Sequence, residues 1–597
     1  VLYRLGGQIN ANQYKSNLSA VSFSDYAKSD PWSAGNIASS VKQVNGNVSD
    51  QSLFTSRFTG DLLVTLSPKF GDFTTRLILG QQTRIQYRRE IASSAGQLVV
   101  PGVYNIANRL GQLVGSEFTS QSRLVGAFAD LTLGYKDFLF LNLTGRNDWT
   151  SLLSTANRSF FYPGANVSAV LSEAIPALKA NNTITYLKVR GGYAKAGNVN
   201  VAAYQLQNTF NPGAGVGAFF PFGSQPGFEL SNRLNSPDLK PEFTTNIEAG
   251  IEIGLFSRIN AEVVVYNTET TNQTVPIAVS RSTGYTSALI NTGTMKNQGV
   301  EVELKTTRPI VNTGGFTWNI STNYTYNNNI VSDVFQGLDR VNIPLSNGAG
   351  SDVYAAKGQN YPALYTTDIV RVQNTNPNGA NYDPTGQFVG RPVINPATGY
   401  PILDTELKYQ GTTQPKHRFG FSNTFAYKGL TLNAVVEYRG GAVIYNAIGN
   451  ALEFTGAGIR TTYNDRQNFI FPNSVIANAD GSFSNNSSVT TRDGNLEFWT
   501  NSGYHNAGSS YVTSADFWKL REVALSYDVP ASILSFTKFV KTFNIALTGR
   551  NLLMLRPKTN VFTDPEFSLD NSNAQGTTDE NQTPPTRFYG FRVGIGF

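Results

Sequence analysis

Glu301 and Glu303 stand two apart in "GVEVELK", so both carboxylates fall on one face of an extended segment. That spacing suits a hydrated wall; the alternative is an electrostatic ring that biases a permeant charge. No paired acid and base of a catalytic kind can be picked out, and no reaction is indicated. The two histidines, His417 and His505, lie far apart in sequence, which argues against a His-rich metal site. His417 reads as a polar residue at a strand start and His505 as a loop residue. The chain has no cysteine, excluding disulfides, thiol catalysis and Cys-ligated zinc. The Gly-rich stretch "GAGVGAF" (213–219) lacks the Lys and Ser/Thr of a phosphate loop. In "LDNSNAQGTTDENQ", Asp570, Asp579 and Glu580 are weak calcium candidates. Their spacing is not that of a known calcium loop, and a solvated loop is the expectation. No cofactor is expected beyond that structural calcium.

Aromatic residues in polar surroundings offer a different chemistry, that of binding. "LEFWTNSGYH" (496–505) combines Phe498, Trp499 and Tyr504 with His505, and "SDPWSAG" (29–35) offers Trp32. Such rings stack on sugar faces or pack on peptide side chains, although loop packing competes for the same residues. Trp32, Phe498, Trp499 and Tyr504 are therefore the candidate substrate-binding residues.

The elements that must position these residues are strands. "NIEAGIEIG" sets Ile247, Ala249, Ile251 and Ile253 against Glu248, Gly250, Glu252 and Gly254. "TLNAVVEYRG" and "LFLNLTGRND" alternate in the same way, with charge on the polar side. The segments run to about ten residues or more, the length a tilted strand needs to cross a bilayer. Short links such as "YKD" (135–137) and "YKG" (427–429) join them at one side. Long polar excursions, roughly 199–241, 335–415 and 447–512, join them at the other. This layout predicts an all-β, transmembrane antiparallel β-barrel with short periplasmic turns and long extracellular loops. About sixteen strands are expected over 1–597. Hydrocarbon demands a partner for every backbone polar group, so the sheet must close. Trp149, Tyr193, Tyr266, Trp318, Tyr326 and Tyr438 are candidates for the interfacial girdles. "SEAIPALKA" (172–180) and "PASILSFTKFV" (530–540) read as brief helical turns at the rim.

Composition agrees with this reading. Charged residues make up 15% and aromatics 12% of 597 residues, against roughly 25% charged in soluble domains. The net charge of +6 comes without a Lys/Arg cluster, so no nucleic-acid partner is expected. No stretch approaches the roughly 18 apolar residues of a membrane-spanning helix. No linker or charge block divides the chain, so one architecture is expected throughout. The closing "RFYGFRVGIGF" puts Tyr589, Phe591, Val593, Ile595 and Phe597 on one parity. Phe591, Ile595 and Phe597 are the candidate barrel-closure and assembly residues.

Several stretches resemble the barrel of SusC/RagA-type TonB-dependent transporters. They are "GRNDWTSLL" (145–153), "LKVRGGYAKAGN" (187–198), "LKPEFTTNIEAGIEIGLF" (239–256), "TGYTSALINTGTMKNQGVEVEL" (283–304), "DFWKLREVALSYDVP" (516–530), "ALTGRNLLML" (546–555) and "PPTRFYGFRVGIGF" (584–597). They span most of the chain in the family's order. The resemblance implies a 22-stranded barrel in a Bacteroidetes-type outer membrane, with an N-terminal plug. It also implies a SusD-like lipoprotein lid, energy from the TonB complex, uptake of oligosaccharides or peptides, and optional pairing of two transporters. Outer-membrane proteins of this kind often end on an aromatic residue that resembles an assembly signal. The plug and the first strands are not visible in this chain, which makes it a C-terminal barrel portion by expectation. The competing expectations are a passive outer-membrane porin and a non-transport, β-rich surface or adhesive protein.

Overall fold

The computed structural model describes residues 1–22, 43–179, 181–212, 227–335, 337–343, 351–537, 539–569, 575–580, 583 and 585–597. Trp32, Asp570 and the 213–219 loop lie outside the described residues.

Sixteen long strands form one antiparallel sheet among the described residues. They are β1 (Leu2–Leu18), β2 (Asn47–Leu66), β3 (Phe73–Ala95), β4 (Val114–Tyr135), β5 (Leu139–Thr150), β6 (Ser159–Val170), β7 (Ile184–Asn198) and β8 (Glu242–Leu255). Then follow β9 (Ile259–Ala278), β10 (Ser287–Thr306), β11 (Phe316–Asp333), β12 (His417–Tyr427), β13 (Leu430–Gly440), β14 (Phe517–Asp528), β15 (Thr542–Leu555) and β16 (Phe588–Gly596). Each pairs with the next in chain order. Among the described residues no register joins β1 to β16, and all 17 residues of β1 are exposed.

Period-two alternation decides which way each side chain faces. Ile251 stands opposite Val189 and Val263, while its neighbour Glu252 stands opposite Lys188 and Glu262. One face of the sheet is therefore oily. Ile251 is 37% exposed, Ile595 50% and Phe591 78%. Their partner is lipid rather than a protein core. The wall thereby excludes a soluble multi-sandwich, whose apolar faces would be buried.

Aromatic belts mark both rims of the oily face. At the long-loop end, the rings of Tyr438 and Trp518 lie 4.8 Å apart, and those of Tyr326 and His417 5.1 Å apart. At the short-turn end, Phe73 meets Tyr135 at 4.8 Å and Trp318 meets Phe425 at 5.8 Å. The Trp318 indole N–H donates to Asn423 Oδ1 at 3.1 Å, so even the polar edge of that ring is satisfied. Trp149 and Tyr193 also face outward and are exposed. Tyr266 does not belong to the belt. It sits opposite Gly299 and Glu248, on the polar face, and a Cβ at Gly299 would come within 2.4 Å of its hydroxyl.

The polar face carries paired charges. Arg190 bonds Glu248 at 2.5 Å and Glu262 at 3.0 Å, and Arg146 bonds Asp148 at 2.8 Å and Gln82 at 3.0 Å. Glu301 and Glu303 lie on this face, opposite Thr325 and Asn323.

Turns and loops alternate along the chain as expected. Lys428 and Gly429, both at positive φ, close the two-residue turn between β12 and β13, matching the strand twist. Helices at Leu171–Ala174, Pro176–Lys179 and Ala531–Leu534 occupy two other links of the same rim. At the opposite rim the loops build a layer of their own. It contains a four-stranded sheet (Arg340–Ile343, Ser351–Ala356, Ala363–Ile369, Leu403–Thr412) and the helix Ala447–Phe454.

Candidate solute vestibule

The loop layer has its own apolar core, and the predicted binding rings lie inside it. Phe498 and Trp499, on the helix Leu496–Asn501, are 2% and 7% exposed. They pack with Ile369, Ile394, Tyr400 and Phe471. Phe498 stacks on Tyr504 at 5.3 Å. These burials leave almost no ring face of Phe498 or Trp499 for a solute, and what the rings do in this arrangement is hold the layer together. His505, the loop histidine, is buried, and its Nδ1 lies 3.1 Å from the Tyr511 hydroxyl. Burial lowers its pKa.

Arg460 locks this layer from below. Its guanidinium lies 4.8 Å from the Phe562 ring, 5.3 Å from Tyr511 and 5.7 Å from Tyr504. It donates to Glu453 Oε2 at 2.8 Å and to the Ser510 carbonyl at 3.0 Å. Burial pushes the Glu453 carboxyl up, while the Arg460 bonds pull it the other way.

A second charged cluster ties a loop to the polar face of the wall. Lys519 on β14 is buried and donates to Asp564 at 2.7 Å and to Glu566 at 2.6 Å. Arg521 forks onto Glu566 with two bonds of 2.6 Å. Arg439 on β13 bonds Glu437 at 2.6 Å and Glu566 at 3.0 Å. Burial would raise the Glu566 carboxyl, but the Arg521 and Lys519 bonds outweigh it and bring it down to about 2. Period two places Glu437 and Arg439 on the polar face. The register could not reveal that residues 564 and 566, far along the chain, fold back to meet them.

Next to this cluster lies a polar cavity of about 510 Å³. The strand side supplies Tyr266, Glu301, Asn327 and Arg418; the loop side supplies Gln414, Lys416 and Gln575. The Tyr266 hydroxyl donates to Asn327 Oδ1 at 3.2 Å, and Gln414 donates to Gln575 at 2.9 Å. The cavity lies where the loop layer meets the polar face, which makes it a vestibule on the way to the lumen.

The model of the family described as TonB dependent receptor-like, beta-barrel matches residues 2–437. The chain belongs to that family. "TonB-dependent receptor P26" of Formosa agariphila is 26% identical across 97% of this chain and 59% of its own length. "TonB-dependent receptor SusC" of Bacteroides thetaiotaomicron is 26% identical across 37% of this chain and 22% of its own length. The solved structure described as the RagAB peptide transporter superposes with a TM-score of 0.72 at 18% identity. That superposition covers 99% of this chain and 59% of the solved one. The chain thus spans a little over half the length of the relatives that cover most of it. Wall, belts and family together make it an outer-membrane β-barrel of the TonB-dependent receptor class.

The other residues singled out in the sequence fall in three places. Phe591 and Ile595 lie on the oily face of β16, and Phe597 follows that strand, 73% exposed and stacked on Phe539 at 6.4 Å. Burial, with the Glu580 carboxylate nearby, pushes the Tyr445 hydroxyl up to about 12. Asp579 and Glu580 join no metal-holding group of three or more acidic, His or Cys side chains among the described residues. Sequence reading assigned Arg418 no role and placed Tyr266 in the belt as an aromatic near a strand end. Both sit at ordinary alternation positions, and only the folding-in of the loops gives them a cavity to line.

Proposed function

We propose that this chain is the C-terminal barrel portion of a SusC/RagA-type importer. It works with a SusD-like surface lipoprotein and the TonB complex to take up oligosaccharides or peptides. In this reading further strands of the same receptor pair with β1 and β16 to complete the wall, and a plug fills the lumen. Optional pairing of two transporters is part of the same reading. The observation that carries the proposal is the packed loop layer above a polar lumen. Its apolar clusters and the Glu453–Arg460 pair give the extracellular rim a firm surface on which a lid can seat.

The test is affinity purification of the full receptor from the native outer membrane, combined with uptake of labelled oligosaccharides and peptides. A co-purifying surface lipoprotein and uptake that stops when TonB is removed are expected. Uptake that persists without TonB, or steady ion conductance through the purified receptor, would replace importer with porin.

A further inference from the structure

The cluster beside the vestibule balances its charges, and one arginine is left over. Lys519, Arg439 and Arg521 are matched by Asp564, Glu437 and Glu566. Arg418 stands directly opposite Arg439 across β12 and β13. Like charges in that position repel, and Arg439 has already taken the neighbouring carboxylates. Among the described residues the Arg418 side chain has no hydrogen bond and no ion pair. Lys416, two residues earlier at the mouth of the same cavity, has none from its ammonium. Glu301 is the one acidic residue lining the cavity. It sits two strands from Arg418, with Thr325 between them. At about 4.8 Å per strand, that puts the two backbones roughly 10 Å apart. An Arg–Glu pair can bridge that gap, as Arg190 and Glu262 do across two strands, but among the described residues Glu301 makes no ion pair with Arg418.

We propose that Arg418 and Lys416 form a subsite for a carboxylate on the transported solute. A guanidinium beside fixed amides, already crowded by a second guanidinium, gains most from an anion that can accept two parallel bonds. Asn327 is oriented by Tyr266, and Gln414 by Gln575, so polar groups around the anion are set in advance. A carboxylate reaches such a site either as the C-terminus or acidic side chain of a peptide, or as a uronate of a glycan. This inference rests on the importer reading and narrows it to anionic solutes.

The experiment uses the full receptor in two formats, binding to purified protein and uptake by cells. Four probes are needed: a peptide with a free C-terminus, the same peptide amidated with no acidic side chain, an oligouronate, and a neutral oligosaccharide of equal length. Wild type should bind at least one carboxylate probe more tightly than its neutral counterpart, and which pair shows the preference names the source. Arg418→Gln should weaken binding of that probe about tenfold or more, the usual scale for a bond to a charged group. Binding of the neutral partner should stay unchanged, and Arg418→Lys should restore part of the loss. Heat-modifiable migration of each variant confirms that the wall is intact. Equal binding of acid and neutral partners by wild type overturns the subsite, as does a loss in Arg418→Gln that is the same for both. Carboxylate-selective binding without uptake keeps the subsite and refutes the importer.

Discussion

Glu566 shows how one carboxylate can set the acid tolerance of the rim. It accepts from Lys519, Arg521 and Arg439 at once and is held near 2, against an ordinary 4.5. A folded value below the unfolded one means the stabilisation is complete above about pH 4.5. It is lost as pH falls through the folded value. The scale is at most roughly 3–4 kcal/mol, since each pH unit separating the folded and unfolded values is worth about 1.4 kcal/mol. Between pH 7 and 5 the cluster should therefore contribute a constant amount, and between pH 4.5 and 2 it should fail. Thermal unfolding of the loop layer in the full receptor, followed by protease cleavage after 556, reads this directly. Glu566→Gln should be less stable at pH 7 and should lose less than wild type on acidification. An equal acid loss in both proteins would place the sensitivity elsewhere. The sequence could not point to this residue. Its partners lie 45–47 and 127 positions away, and its own stretch, "DPEFSL", has no period.

Strands were legible because their rule is local. In β8 each residue declares its face by parity alone, and lipid on one side with water on the other makes that alternation strict. The sixteen expected strands, the short-turn rim and most of the aromatic belt followed from it. Tyr266 did not, because a tyrosine is at home both at a lipid interface and in a wet lumen, and parity must decide. The loop aromatics fared differently again. Phe498 and Trp499 lie in a polar stretch, yet they fill a core formed by segments 369–507 that no local pattern joins. The two-faced wall makes a direct prediction about position rather than residue type. Ile251→Arg puts a charge on the lipid face and should cost about 2–4 kcal/mol if it lies near the bilayer midplane, and less toward an interface. Val264→Arg puts the same charge among Glu301 and Gly250 on the wet face and should cost much less. The fraction of heat-modifiable receptor recovered in the outer membrane measures both. Equal loss for the two variants would mean that the faces have been assigned wrongly.

Closure is the constraint that acts on the molecule as a whole. β1 and β16 each have one neighbour, and every second residue along their outer edges presents N–H and C=O groups to nothing within the described residues. In hydrocarbon each such group costs several kcal/mol, so a wall with two bare edges is not a stable membrane object. The apolar residues of β16 stay useful only if something pairs beside them; Phe591 and Val593 can face lipid only from within a continuous sheet. Completion by further strands of the receptor removes both edges at once, whereas a sixteen-stranded cylinder would require β1 and β16 to find each other. The two solutions differ in what residues 1–597 do alone. Refolded into detergent or vesicles, they should aggregate or remain fully unfolded on unheated gels, while the full receptor migrates as a compact, heat-modifiable band. Cysteines introduced at Leu5 and Phe591, oily-face positions on the two edges of a chain with no native thiol, should not cross-link in the full receptor if other strands stand between them as proposed. A compact band from the short chain, together with efficient cross-linking and steady conductance, would mean that the wall closes on itself, and the importer proposal would give way to a channel.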